Sequence, residues 1–227
     1  MILALIAAAA VASNSACPDV LTDKTLICRA LEAQRSGAPA DAAADFEQAA
    51  QLATSDAGAA ARAWAAAGNM WLSAGEAGKA ALDLDKALTG TVLAPLQRGE
   101  ALLDRARAAA DQGDLKTARA KITEAAKSIS EDPFLWYFSA SLAMREGDAA
   151  TAKSSIDKAL ALAPGDAAML FEAGHVAEFS GDDAGARDYW TRAAAADPNG
   201  ETGKAARHAL DIIGPALTVK TDVPAKP

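Results

Sequence analysis

The chemistry available to this chain begins with its two cysteines, Cys17 and Cys28, which follow an uncharged apolar N-terminus. Residues 1–16 run from an apolar stretch into small residues, a pattern typical of a secretory signal peptide. An isolated cysteine pair in an oxidising compartment usually forms a disulfide, so we expect one here. The alternative is that Cys17 is the lipidated first residue of a lipoprotein. Zinc is not indicated, because His175 and His208 complete no ligand cluster.

No set of residues in the sequence indicates catalysis. There is no glycine-rich phosphate loop, no paired-histidine zinc motif and no serine elbow flanked by glycines. Asp83 and Asp85 resemble the start of a calcium loop, but the required glycine and glutamate are missing. We expect these two residues to lie on a solvated helix face. The sequence therefore predicts a protein that is not an enzyme and that has no cofactor and no metal.

A repeat with a period of about 34 residues organises the second half of the chain. Small and apolar residues recur at this period without gaps: Gly113, Gly147 and Gly181; Ala118, Ala152 and Ala186; Ile122, Ile156 and Trp190; and Ala125, Ala159 and Ala193. Two earlier copies, at Gly37 and Gly75, have the same internal spacing, but each is separated from the next copy by a slightly longer offset. Because apolar residues within each copy also follow helical spacing, each copy is predicted to be a helical hairpin that is covered only by its neighbour.

These positions resemble the tetratricopeptide repeat family. Each copy has an apolar fourth residue, a small eighth residue, glycine at the fifteenth place and alanine at the twentieth. The resemblance implies an all-α, right-handed superhelical solenoid of five hairpins, with repeats at 23–56, 61–94, 99–132, 133–166 and 167–200. A capping helix is expected at 201–213, and 214–227 is interpreted as a flexible tail containing proline. The solenoid as a whole would span residues 17–213.

The resemblance also implies where a partner would bind. In this family the first helix of each repeat lines a concave groove, and arginine and aromatic side chains are effective anchors there. The groove residues expected on this basis are Arg62, Asn69, Arg107, Phe134, Tyr137, Arg145, Phe171, His175 and Phe179. Their density is greatest in the fourth and fifth repeats, so we expect an apolar or aromatic segment with an acidic group to dock there. Some of these aromatic residues could instead pack within the stack.

Two further expectations concern side chains at repeat positions. The carboxylate clamp of chaperone-binding members of the family is absent, because only Asn69 matches its pattern. The four tryptophans are expected to belong to the core, since they lie at positions that face the packing interior: Trp64, Trp71, Trp136 and Trp190.

Composition limits the possible partners. The net charge of -8 and the isoelectric point near 4.8 argue against nucleic acid, and against a membrane unless Cys17 carries a lipid. The sequence therefore predicts an exported, periplasmic or secreted bacterial adaptor that is not an enzyme and that holds a peptide or helix of a partner protein. The alternatives are a lipid-anchored outer-membrane assembly factor and a self-associating structural module.

Overall fold

A computed structural model describes residues 17–214, and these residues contain eleven helices and no strand. The predicted all-α superhelical stack is confirmed. The helices are α1 (Asp23–Arg35), α2 (Pro39–Leu52), α3 (Ala57–Ser73), α4 (Ala77–Ala87), α5 (Pro95–Asp111), α6 (Leu115–Ala125), α7 (Pro133–Glu146), α8 (Ala149–Leu162), α9 (Ala167–Phe179), α10 (Asp183–Ala196) and α11 (Glu201–Ile212).

Local sequence signals set the helix boundaries. Proline occupies the first turn of α2, α5 and α7. A backbone N–H there has no acceptor within the helix, so its absence in proline costs no hydrogen bond. Aspartate caps many of the helices by accepting a hydrogen bond from a backbone N–H in the first turn: Asp56, Asp114, Asp132, Asp148, Asp166 and Asp182. At the end of α7, Gly147 adopts a left-handed conformation with φ of 79° and turns the chain into α8.

The two longer offsets between early repeats lengthen helices. The first helices α3 and α5 have 17 residues each, whereas α1, α7 and α9 have 13 or 14. Each longer offset adds about one helical turn to the repeat period. The repeats therefore keep their pairwise packing, and α3 and α5 present longer surfaces than the other first helices do.

Consecutive helices pack against each other along the whole stack, and α11 covers α10 and part of α9. Close approach depends on small residues such as Gly174, because a Cβ added there would overlap the Trp190 ring. Trp71 and Trp190 are buried, as expected for core residues. Trp64 and Trp136 are half-buried and pack against the buried core, and a lysine ammonium from the second helix of the same repeat lies over each ring. All four tryptophans therefore contribute to the core, with Trp64 and Trp136 at its edge.

The N-terminal segment is tied to the first helix by a disulfide. Cys17 and Cys28 are joined, with their Cα atoms 5.8 Å apart. The signal peptide expected at 1–16 and the tail from 215 onward lie outside the described residues. Within residues 17–214, no helix is both long enough and apolar enough to cross a membrane.

Candidate functional site

The first helices of the repeats line one side of the stack, which we call the inner face, and this face contains a cavity of about 610 Å³. Helices α1, α3 and α5 form its walls, and Phe134 of α7 closes one end. Its floor is mainly apolar, with Phe46, Met70, Leu93 and Leu103. Such a cavity can accept an apolar side chain of a bound segment.

Four of the nine expected groove residues line this cavity: Arg62, Asn69, Arg107 and Phe134. Three of them belong to one network. Asn69 Nδ2 donates to Asp104 Oδ2 at 2.7 Å, and Arg107 Nη1 donates to Asp104 Oδ1 at 2.8 Å. The Arg107 guanidinium also lies 5.7 Å from the centre of the Phe134 ring. Asp104 therefore compensates the charge of Arg107, and the network fixes the cavity wall between α3 and α5.

The charges that remain available at the cavity are Arg62 and Glu100. Arg62 is exposed on α3 and Glu100 is exposed on α5, and neither has an ion-pair partner within residues 17–214. Gln34 and Gln97 add uncharged donors and acceptors to the rim. The cavity thus combines an apolar floor with a rim that can bind charged side chains and backbone amides of a partner.

Tyr137 continues the inner face beyond the cavity. Its ring stacks on Phe134 with the ring centres 5.5 Å apart, on the same helix, α7. Burial raises the pKa of Tyr137, and the negative charges of Glu172 and Asp166 raise it further. The hydroxyl therefore remains protonated at neutral pH and can donate a hydrogen bond.

The remaining predicted residues of the fourth and fifth repeats are partly used within the stack. Arg145 Nη2 donates to the Ala110 carbonyl at 2.7 Å and so joins α7 to the end of α5. Phe171 packs edge-on against His175 at 4.5 Å, and His175 packs against Trp190 at 5.3 Å. Phe179 is exposed in the last turn of α9.

These contacts change the expected electrostatics of the fourth and fifth repeats. Burial lowers the pKa of His175 although nearby Glu178 raises it, so the imidazole is neutral at pH 7. Arg107 is paired with Asp104, whereas Arg145 is exposed, and its hydrogen bond to the neutral Ala110 carbonyl leaves its positive charge uncompensated. Within residues 17–214, an acidic group on a partner could therefore be met by the free positive charge of Arg62 or of Arg145.

The sequence argument missed two acidic residues of the inner face, Asp104 as a network centre and Glu172. Glu172 is buried between α7 and α9, and burial raises its pKa while a hydrogen bond from Ser141 lowers it. Its Oε1 has no hydrogen-bond partner. Both residues occupy the sixth place of their repeat, but the other three repeats have Cys28, Ala66 and Phe138 there, so no periodic signal marked the two acids.

The expectation for Asp83 is wrong. Asp83 is 2% exposed, whereas Asp85 is exposed and pairs with Arg105 at 2.8 Å. The register of α4 turns Asp83 toward the helices it packs on, because Ala80, Leu84 and Ala87 lie on that buried side too.

Comparison with known proteins supports the fold. No protein-family model matches the chain, and no curated protein is significantly similar in sequence. Solved structures do match: the type IV pilus biogenesis factor PilW has a TM-score of 0.68 at 19% identity, over 81% of each chain. The solved fragment of MamA from residue 41 to the end, from Desulfovibrio magneticus RS-1, has a TM-score of 0.64 at 15% identity, over 82% of this chain and 99% of the fragment.

A third similar structure is YrrB, described as a tetratricopeptide repeat protein with an unusual peptide-binding site. It has a TM-score of 0.59 at 19% identity, over 81% of this chain and 91% of YrrB. Identities this low show a shared fold and leave partners open. The helix pairing, the five glycine-marked hairpins and these structural neighbours together show that the chain has the tetratricopeptide repeat fold.

Proposed function

We propose that this protein is an exported adaptor without catalytic activity, and that it holds a peptide or helix of a partner protein on its inner face. The cavity between α1, α3 and α5 is the observation that carries this proposal. A bound segment would place an apolar or aromatic side chain on the cavity floor and an acidic group near Arg62. The segment would then continue over Phe134 and Tyr137 toward Phe171, His175 and Phe179.

Three considerations support binding at this face. The cavity rim has unpaired polar groups, whereas the Asn69, Asp104 and Arg107 network holds the wall rigid before any partner arrives. Phe134 is 38% exposed, a large apolar ring open to solvent beside the cavity. The solved structure of YrrB, which has the same fold, is described as having a peptide-binding site.

Export is supported by the leader-like residues 1–16 and by the disulfide, since structural disulfides persist in oxidising compartments. A sulfur that is bonded to Cys28 cannot also carry a lipid, so the disulfide favours a periplasmic or secreted adaptor over the lipid-anchored alternative. Metabolic labelling with a fatty acid distinguishes the two. Analytical ultracentrifugation of the mature chain tests the self-associating alternative.

The test of groove binding begins with crosslinked co-purification of the native protein, followed by synthesis of the crosslinked partner segment. Phe134→Ala removes a proposed anchor, and Arg62→Glu reverses the free charge of the cavity. Loss of an anchor typically reduces the binding free energy by about 2 kcal/mol, so we expect each variant to raise the dissociation constant roughly thirtyfold. Fluorescence anisotropy of the labelled segment measures the effect.

Matched controls lie on the second helices. Leu162→Ala truncates a residue of α8 that is also 38% exposed, and Lys116→Glu reverses an exposed charge on α6. Neither control should change the dissociation constant. Groove variants that keep full affinity while remaining folded would show that the partner binds elsewhere.

A further inference from the structure

Two carboxyl groups meet inside the junction between the first and second repeats. Asp83 of α4 is buried, and the Glu47 carboxyl of α2 lies within hydrogen-bonding reach of it. Glu47 Oε1 accepts a hydrogen bond from Trp71 Nε1 at 2.6 Å. Lys86 Nζ lies 2.9 Å from Asp83 Oδ1, but Asp83 Oδ2 has no hydrogen-bond partner.

One added proton would complete this arrangement. Two ionised carboxylates can only accept hydrogen bonds, so they repel each other, and a buried oxygen is left without a donor. A carboxylic acid and a carboxylate instead form a short, charge-assisted hydrogen bond. We propose that buried Asp83 holds a proton and donates it to the Glu47 carboxylate, and that loss of this proton loosens the junction between the first two repeats, which makes Asp83 a pH switch.

Most charged side chains near Glu47 and Asp83 form ion pairs with other residues. On α2, Asp45 is paired with Arg29 of α1 at 2.9 Å. On α5, Arg105 is paired with Asp85 at 2.8 Å. Helix α3 carries a single ionisable side chain, Arg62, and it lies at the cavity.

The two lysines of α4 compensate the pair only in part. The ammonium of Lys79 lies over the Trp71 ring at 4.1 Å. Lys86 contacts Asp83 and also lies 3.8 Å from the centre of the Trp64 ring. Because the Lys86 side chain is half-exposed, one cation shared with water faces two carboxyls, and the proton supplies the remaining compensation.

The direction of the pH effect follows from the pKa of Asp83. Burial raises it from 3.8 to about 6; Lys86 lowers it and Glu47 raises it again. A folded-state pKa above the unfolded value means that the folded protein binds the proton more tightly. The stability that the folded protein gains from proton binding at Asp83 is fully present below pH 3.8 and is lost as the pH rises through about 6.

The switch lies directly behind the cavity. Phe46, next to Glu47 in α2, and Met70, next to Trp71 in α3, both belong to the cavity floor. A looser junction between α2 and α4 would therefore let these two floor residues move. The proposal itself rests on the carboxyl pair and does not depend on what the cavity binds.

Carboxyl NMR and amide hydrogen exchange on the mature protein test the switch. One carboxyl should titrate near pH 6, and α2 and α4 amides should be about tenfold better protected at pH 5 than at pH 7.5, after correction for intrinsic exchange. In Asp83→Asn both effects should vanish, whereas Asp85→Asn on the same helix should keep them. The proposal is overturned if every carboxyl titrates below pH 5, or if Asp83→Asn keeps the wild-type dependence. Should Asp83→Asn fail to fold, the wild-type carboxyl titration decides alone.

Discussion

At the scale of single residues, the eighth place of each repeat shows how close packing depends on the absence of a side chain. Gly174 faces the Trp190 ring, whose Nε1 donates to the Phe171 carbonyl at 3.1 Å. The ring is 1% exposed and has no solvent space into which it can move. A methyl group at this position must therefore displace a buried indole and strain its hydrogen bond.

We expect Gly174→Ala to lower the free energy of unfolding by roughly 1 to 3 kcal/mol, because overpacking of the interior outweighs the better helix propensity of alanine. Urea denaturation followed by circular dichroism measures this change.

Gly78→Ala is the matched control. Gly78 lies in α4, and an added Cβ would meet nothing within 4 Å. This substitution should stabilise the protein by about 0.5 to 1 kcal/mol, since only helix propensity changes. Equal effects of the two substitutions would disprove the close contact between Gly174 and Trp190.

At the scale of helices, one arginine joins the third and fourth repeats. Arg119 of α6 donates to Glu146 Oε2 at 3.0 Å and to Ser139 Oγ at 2.9 Å, and both acceptors belong to α7. Ser139 in turn hydrogen-bonds Ser155 of α8 at 2.9 Å in the buried interior. Helices α5 and α7 make little direct contact, so this network and the Arg145 hydrogen bond are important for this junction.

We expect Arg119→Met to cost about 1 to 3 kcal/mol, because buried Ser139 loses its charged donor and Glu146 loses its partner. The midpoint of urea denaturation should fall. Since repeats are stabilised mainly by their neighbours, the transition should also become broader.

Lys153→Met provides the comparison for this charge removal. Lys153 pairs with Asp157 on the surface of α8 at 3.2 Å, one turn away on the same helix. Exposed pairs of this kind contribute roughly 0.3 to 0.5 kcal/mol, so the midpoint should hardly change. If Arg119→Met lowers the midpoint of urea denaturation no more than Lys153→Met does, the junction is held by apolar packing alone.

At the scale of the whole molecule, the two ends of the stack are covered differently. Helix α11 covers the last repeat with apolar residues that include the buried Ala206. At the other end, the disulfide holds the chain from Cys17 onto α1 at Cys28. Within residues 17–214 the first repeat packs against a neighbouring repeat on one side only, so we expect it to depend on this bond.

Reduction of the disulfide should therefore destabilise the protein by about 2 to 3 kcal/mol, the value expected for a short closed loop. Hydrogen exchange should become faster in α1 and α2 and remain unchanged in α10 and α11. Urea denaturation and hydrogen exchange with and without a phosphine reductant measure these effects.

A variant with Cys17→Ser and Cys28→Ser serves as the control, since its stability should not respond to the reductant. Mass spectrometry of the unreduced protein checks the premise. A mass that corresponds to two thiols, or to an added diacylglycerol, would contradict the disulfide.

The amino-acid sequence was enough to predict the helical hairpins, their order and the close contacts at small residues. These features recur at the repeat period and depend on local capping, helix propensity and glycine, all of which are readable in one stretch of chain. It also placed Arg62, Asn69, Arg107 and Phe134 on the face where the structure has its cavity.

Contacts between repeats determine which of the groove cations are free and which acids are buried. Asn69 pairs with Asp104 and Arg145 with Ala110, each across 35 residues and thus between neighbouring repeats. Whether Asp83 meets solvent or Glu47 likewise depends on the side chains of another repeat. Repeat periodicity constrains the backbone and the small core residues, but polar partners between repeats vary from copy to copy and leave no periodic signal.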